Sequence, residues 1–542
     1  MVAAVPPLEG IVLPGASSPR LQVNSIGADV AVDTRRPVVV EGFKTYQATG
    51  LGGADSGCGS GGSCDVADQN GVLFTDAAAF MANAGAIVNR LGLTNSIVQV
   101  RPGIEVDSTG DLTLDNTTNT TGVWDLSAWN AALGAPVNVA LRATGNLIFN
   151  VSLTDGFTNT GGAVSAWTFG ESGAVADSGA YRLTAGADLS AANPLAVIPQ
   201  PVSATTGTPN TGNVIVTPGN LIRTGDGSIA IEAGGDLLLG YAFNGYSNGE
   251  LQVTESDPLK SVIYTAGVPL TLSPAEQMLF TPPSNAAYPT MGGDLTVGAS
   301  DDLRSAPSLQ LVSDWLWRRG AVAQGTGTLI SPDKNATWWV VFKNFEQGIG
   351  ALGGGNVSLN AQGDIVNVSA VIPTTGQLLG AAGSVPSAAN VVLTGGGRLQ
   401  VHAGANIESG VFEDDWGNAG ISSGASMTSG TTLGTLLTGL NQSNLTPEQL
   451  AAPIFPILVM GEGDFEVSAR SGANVNLVAN STTLPYTTAN LKVTHGAAYF
   501  YTYGTDSTLG VVSSGGDIVL SNDSSNLPIG SNRQCCRPPR SA

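Results

Sequence analysis

Charge is the first thing this sequence lacks. Only 12% of its 542 residues are Asp, Glu, Lys or Arg, about half the usual share of roughly 25%. Lysine is reduced to Lys44, Lys260, Lys334, Lys343 and Lys492. Acidic residues outnumber basic ones 42 to 21, a net charge of −21. No basic face can be assembled to neutralise phosphates, so no nucleic-acid partner is expected. Histidine is confined to His402 and His495, and the four cysteines include no C-x-x-C pair. A structural zinc site is therefore not expected. Missing too is any apolar run of the roughly 18 to 20 residues that a membrane span needs. The longest, Ile454 to Met460, is short and carries Pro456. Met1 to Gly10 has neither a basic start nor an apolar segment, so no signal peptide is read there. The chain is expected to be part of a longer exported protein.

What is present is glycine, 72 residues of it, with much Ser, Thr, Asn and Ala. Hydrophobic residues reach 42%, and the mean hydropathy of +0.15 opposes disorder, which goes with low hydrophobicity and high charge. An ordered chain with many turns is expected. The loop from Cys58 to Cys64, Gly-Ser-Gly-Gly-Ser between them, is flexible enough to close a small disulfide, as would suit an oxidising compartment. Two free thiols in a loose loop fit the same residues equally well.

A repeat organises the chain. Its form is apolar-x-apolar-x-Ala, two linking residues, Asp or Asn, then a second apolar alternation. Copies begin at Val139, Tyr181, Ile229, Val357 and Leu399, with a looser one at Phe465. Half-units occur at Gly110-Asp-Leu112, Gly293-Asp-Leu295 and Gly516-Asp-Ile518. Each unit reads as two short strands and a corner. Alternation puts Ile229 and Ile231 on one face, Ala230 and Glu232 on the other. Gly-Gly-Asp or Gly-Ala-Asn tolerates left-handed backbone, and the Asx side chain can cap the turn. The repeated Ala suits a position too tight for anything larger.

That Ala recurs after 42 residues (143 to 185), 48 (185 to 233) and 42 again (361 to 403). A 42-residue interval reads as two coils of about 21, giving a parallel β-helix of ~20 coils and up to roughly 100 Å. The fold class expected is thus all-β, a parallel β-helix solenoid with short helical and irregular excursions. A sandwich or a propeller is the rival, although the Trp-Asp signature of propeller blades is absent.

Elsewhere the pattern breaks. Residues 75–93 read as a helix with Thr75 as N-cap and Gly92 as stop. Ser273-Pro-Ala-Glu276 and Thr446-Pro-Glu-Gln449 read as capping boxes. The expected organisation is an irregular segment over 1–73 and a β-helix with a short helix at its start over 74–300. An aromatic-rich excursion follows over 301–350, then more β-helix over 351–525 and a disordered tail over 526–542.

Several segments, in order along the chain, resemble the C-terminal region of bacterial exoproteins of the filamentous haemagglutinin family. They include Val100-Arg-Pro-Gly-Ile-Glu105, Trp124-Asp-Leu-Ser127, Leu141-Arg-Ala-Thr-Gly145, Asp155-Gly-Phe157 and Tyr181-Arg-Leu-Thr-Ala-Gly-Ala-Asp188. They continue with Tyr264-Thr-Ala-Gly267, Trp315-Leu-Trp-Arg-Arg-Gly320, Gly350-Ala-Leu-Gly-Gly-Gly-Asn356 and Tyr503-Gly-Thr-Asp-Ser507. The resemblance covers roughly residues 75 to 525. It implies a secreted, right-handed β-helical filament exported through an outer-membrane transporter, with adhesion to a host-cell receptor or glycan as its role. It supplies no catalytic residues, and the N-terminal secretion domain of such proteins has no counterpart here.

Candidate sites are few, and no catalytic residue, cofactor or metal is expected. Polysaccharide-cleaving β-helices need carboxylates set close enough to act as acid and base. Asp301 with Asp302, and Glu413-Asp414-Asp415 beside Trp416, are the candidates, and each reads as a solvated loop. His402 sits at an outward position of a repeat. Asp65, Asp68, Asn70 and Gly71 miss the EF-hand register. Trp338-Trp339 could stack on a sugar, but packing of a loop against the helix is the expected role.

Overall fold

A computed structural model describes residues 38–51, 71–90, 98–115, 123–157, 177–255, 261–270, 286–308, 310–318, 338–380, 387, 389–438, 442–443, 445–481, 486–487, 493–494, 503 and 507–521. Within them the chain winds as a three-faced parallel β-helix. Face 1 runs from Val38–Gln47 through Val98–Ser108 and Asn138–Ala143 to Thr508–Ser513, one strand per coil, every pairing parallel. Face 2 is an 11-stranded parallel ladder from Gly50–Leu51 to Ile518–Leu520. Face 3 runs from Val123–Asp125 to Leu477–Ala479. Faces 1 and 3 join into one 18-stranded sheet because Val411–Ser423 and Ile457–Ala469 bend round a corner and belong to both.

The expected Ala repeat is the seam of face 1. Ala143 pairs with Ala185, and the ladder continues through Ala233, Ala299, Ala361 and Ala403 to Ser423 and Ala469. Stacking at about 4.8 Å leaves little room at this inward position, which explains the small side chain. The apolar partners also stack inward: Ile229, Ile231, Val357, Leu359, Leu399 and Val401 are all buried, while Asn360 and His402 are exposed. Glycine at the following corner answers to the same crowding. A Cβ on Gly424 would run into the carbonyl oxygen of Gly404, and one on Gly404 into that of Gln362.

The coil count differs from expectation. Ala143 and Ala185 are direct neighbours across one ladder step, so a 42-residue interval is one coil and not two. The bare coil is 20 residues, as Ala403 pairing with Ser423 makes plain. Additional residues leave as excursions, because parallel pairing fixes register on the faces and leaves corner length free. Eleven rungs at about 4.8 Å give a solenoid of roughly 50 Å, half the expected length.

Excursions fold back onto the coils. Leu316–Arg318, Ala286–Ala287, Trp338–Val341, Thr374–Leu378 and Val391–Gly395 make a five-stranded sheet. Its Trp338, with Trp315, Phe342 and Phe345, packs on the outward side of face 3 against Val262, Tyr264, Val371 and Val411. Trp339 turns the other way, onto Tyr288. Both tryptophans are buried, so the expected packing role holds, from a strand and not a loop. The hairpin Tyr241–Ser247 with Glu250–Glu255 covers Ile148, Ile215 and Leu238 on the outward side of face 2.

The helix near the start is two helices. α1, Val72–Met81, is capped by Gly71, and α2 is Ala84–Arg90. Thr75 lies inside α1, where its hydroxyl donates to the Gly71 carbonyl at 3.0 Å, so it is not the N-cap. The pair bends by 48°, and among the described residues no single helix is long and apolar enough to cross a membrane. Leu73 of α1 enters the core and Phe74 meets Trp129 edge-on. The capping box at Thr446 forms as expected, with Thr446 and Gln449 exchanging hydrogen bonds. That at Ser273 lies outside the described residues, as do Cys58, Cys64, His495 and the Asp65–Asn70 run.

Candidate functional site

Three places on this frame gather polar chemistry. The first is the outward side of face 1. Its N-terminal coils are charged and ion-paired: Arg182 holds Glu41 through two bonds of 2.9 and 2.8 Å, and Arg142 lies 3.9 Å from both Glu105 and Asp107. From the Leu295–Ala299 strand to the Gly397–Ala403 strand the same two rows become small or neutral: Thr296, Ser358 and Gln400 in one, Gly298, Asn360 and His402 in the other, before Glu466 brings charge back two coils on. His402 is exposed as expected, its Nδ1 2.8 Å from the Ser422 hydroxyl, with no carboxylate in the contact.

The second is the corner between faces 1 and 2, where the Asx of the repeats sits. In the copy beginning at Tyr181 the position falls instead to Asn213, beyond an excursion, while Asp188 caps only its own turn by accepting from Ser190 N. The side chain of the corner Asx does more than cap its own turn, because its Oδ1 accepts the backbone N–H of the corresponding residue one coil on. Asp111 accepts from Asn146 at 2.8 Å, Asn146 from Asn213 at 2.8 Å, and Asn213 from Asp236 at 2.8 Å. Asp236 accepts from Asp302 at 3.0 Å, Asp302 from Asp364 at 2.6 Å, Asp364 from Asn406 at 2.6 Å, and Asn406 from Ser426 at 3.1 Å. From Asp111 to Ser426 each coil thereby satisfies an amide that the corner would otherwise orphan.

Midway along this ladder three carboxylates converge. One oxygen from each of Asp236, Asp301 and Asp302 lies within 4.8 Å of the other two. Asp236 and Asp302 are buried and Asp301 is partly exposed, which corrects the solvated-loop reading of Asp301–Asp302. The physical reason is the stacking itself: the corner of one coil is covered by the corners on either side. Burial, with the charges of Asp301 and Asp302, pushes the Asp236 carboxyl up to about 8, and burial with Asp302 pushes Asp301 up as well. Arg304 answers from the next strand, its Nε 2.9 Å from Asp302 Oδ2. Sequence reasoning paired Asp301 with Asp302. It missed Asp236, which stands 66 residues before Asp302 and was legible only as the same position of the previous repeat.

The third is Glu413-Asp414-Asp415, where Val411–Ser423 turns from face 3 to face 1. All three are fully buried, again correcting the solvated-loop reading. Glu413 is paired between Val371 and Val459, two residues held in the apolar layer under the five-stranded sheet. Burial pushes Glu413 well above the carboxylate range, helped by the charge of Asp415 and a hydrogen bond with it. Burial and Asp415 push Asp414 up to about 8, against backbone donors from Gly397 and Trp416. The Ser481 hydroxyl donates to Asp415 Oδ1 at 2.7 Å. Adjacent residues alternate in direction, so Glu413 and Asp415 share one side of the strand and Asp414 takes the other. Protonated, the pair holds itself together, but neither oxygen reaches solvent.

A further buried carboxyl escaped the sequence reading. Asp155 accepts from Gly179 N, Asn130 Nδ2 and Gly156 N, each at 2.7 Å, and burial still pushes it up to about 7. Nearby, Arg223 lies 3.8 Å over the Phe157 ring. These groups tie corners together. Comparisons of the chain with protein-family models, with curated proteins and with solved structures found no match.

Proposed function

We propose that this chain is a secreted or cell-surface adhesin of the filamentous haemagglutinin kind, attaching its cell to host cells or surfaces. The observation that carries the reading is the outward side of face 1. Over successive coils it offers a flat lattice of small polar groups, Thr296, Ser358, Gln400, Asn360 and His402, with strands about 4.8 Å apart. A repeated lattice binds through many weak contacts at once, so each site can be weak and the total strong. Export through an outer-membrane transporter, by way of a region outside this chain, belongs to the same proposal, with a host receptor or glycan as the ligand.

Attachment is tested with the purified full chain on epithelial cells and on a glycan array. Saturable binding is expected, reduced about tenfold when Thr296, Ser358 and Gln400 are all replaced by Glu, since repulsion at each rung multiplies. Binding that ignores the triple variant would remove face 1 from the argument. A passive shaft spacing an adhesive tip is the second reading, favoured by the unbroken parallel ladders, and it predicts no binding at all. A polysaccharide-cleaving enzyme is disfavoured by the burial of Glu413, Asp414 and Asp415, which leaves no solvent-facing acid and base there.

A further inference from the structure

We infer that Asp236, Asp301 and Asp302 form a binding site for one divalent cation of the calcium class. Three carboxylate oxygens already lie within 4.8 Å of one another, close enough for one ion to touch all three. A second observation points to a ligand. The Asp236 side chain is fully buried, its Oδ1 accepts from Asp302 N, and its Oδ2 meets no N–H or hydroxyl donor; what stands beside this carboxyl is that of Asp301. A buried carboxyl facing other carboxyls is costly to ionise, so without an ion it keeps its proton, and a divalent cation is what would let it ionise.

Elsewhere in the same ladder the problem does not arise. Where Asn213 follows Asn146, the Asn213 amide donates to Asn146 Oδ1 at 2.9 Å, so the side chains serve one another. Asp236 followed by Asp302 brings acceptors alone. Arg304 takes Asp302 Oδ2 and offsets one charge of three. Donors that are all oxygen select a hard ion, and flexible coordination by carboxylates and water suits Ca2+ better than Zn2+. Partly exposed Asp301 leaves a way in from solvent. This reverses the expectation that the chain binds no metal. It depends on neither adhesion nor the face 1 lattice.

The full chain, freed of metal with a chelator, is titrated with CaCl2 by calorimetry, and its melting is followed with and without the ion. One saturable site and a rise in melting temperature of several degrees are expected. Asp236→Asn puts at this corner the residue that positions 146, 213 and 406 already carry, so the variant keeps the ladder bond and folds. It should weaken Ca2+ binding roughly tenfold or more and abolish the thermal shift. Asp464→Asn, an exposed acid at another corner, should change neither. Absence of saturable Ca2+ binding to the parent chain overturns the site, as does binding that Asp236→Asn leaves intact. If Asp236→Asn melts higher than the parent and the parent ignores Ca2+, the three carboxylates share a proton and hold no ion.

Discussion

At the scale of the residue, what decides the structure is which way a side chain points on a strand. Ile231 and Leu359 point into the coil and are buried; Glu232 lies half-buried and Asn360 exposed on the outward side of the same strands. Replacing Ile231 or Leu359 with Asp puts an unpaired charge into a column of aliphatic side chains, at several kcal/mol. Glu232→Ala or Asn360→Ala should cost within about half a kcal/mol. Chemical denaturation should separate the two pairs clearly, and equal losses would mean that the inward and outward rows are exchanged. Alternation made these rows legible in the sequence, because period 2 and the repeated Ala report the same geometry. The same reading failed at Glu413-Asp414-Asp415. Three acids in a row look solvated, and nothing local reveals that neighbouring strands and an excursion some 40 to 100 residues away in either direction enclose them.

At the scale of the element, the faces were legible and the excursions were not. Face 1 and face 2 follow from copies of one motif. Face 3 has no motif, only short apolar runs such as Val262-Ile263-Tyr264, whose two sides both end up buried, one in the core and one beneath an excursion. The hairpin of Tyr241–Ser247 and Glu250–Glu255 shows what such an excursion does. It lays Phe243, Leu251 and Val253 over Ile148, Ile215 and Leu238, and its Tyr246 hydroxyl accepts from Asn146 Nδ2 at 2.7 Å and donates to Asp111. Replacing residues 241–255 by a short Gly-Ser turn should uncover three aliphatic side chains on face 2. At about 25 cal/mol per Å2 that amounts to roughly 3 kcal/mol or more, with new binding of a hydrophobic dye. A replacement that melts like the parent and binds no dye would reduce the hairpin to ornament.

At the scale of the whole molecule, buried acids tilt stability with pH. Asp107 is pushed up to about 6, Asp155 to about 7 and Asp414 to about 8, each first by burial, and Glu413 rises with them. In the unfolded chain these groups titrate near 4, so between there and about pH 8 the folded state holds protons that the unfolded state has released. Their contribution is complete below about pH 4 and is lost as pH rises through the folded values. Melting should therefore occur several degrees higher at pH 5 than at pH 8, and Asp414→Asn should flatten part of that slope. A melting temperature that climbs from pH 5 to pH 8 would contradict it. Asp188, Glu250 and Glu448 are shifted down instead, so their effect falls below this window. The Asx corner has a consequence of another kind. Each side-chain oxygen accepts the amide of the coil that follows it in the chain, never the one before, so the column has a direction as a zip has. From Asp111 to Ser426 a chain folding from its N-terminus finds at each turn an acceptor already fixed in place, while one folding from its C-terminus must set each amide in a gap and wait. Coils are thus laid down most readily in the order in which a ribosome makes them, or in which a pore would release them, each finished coil serving as the mould for the next.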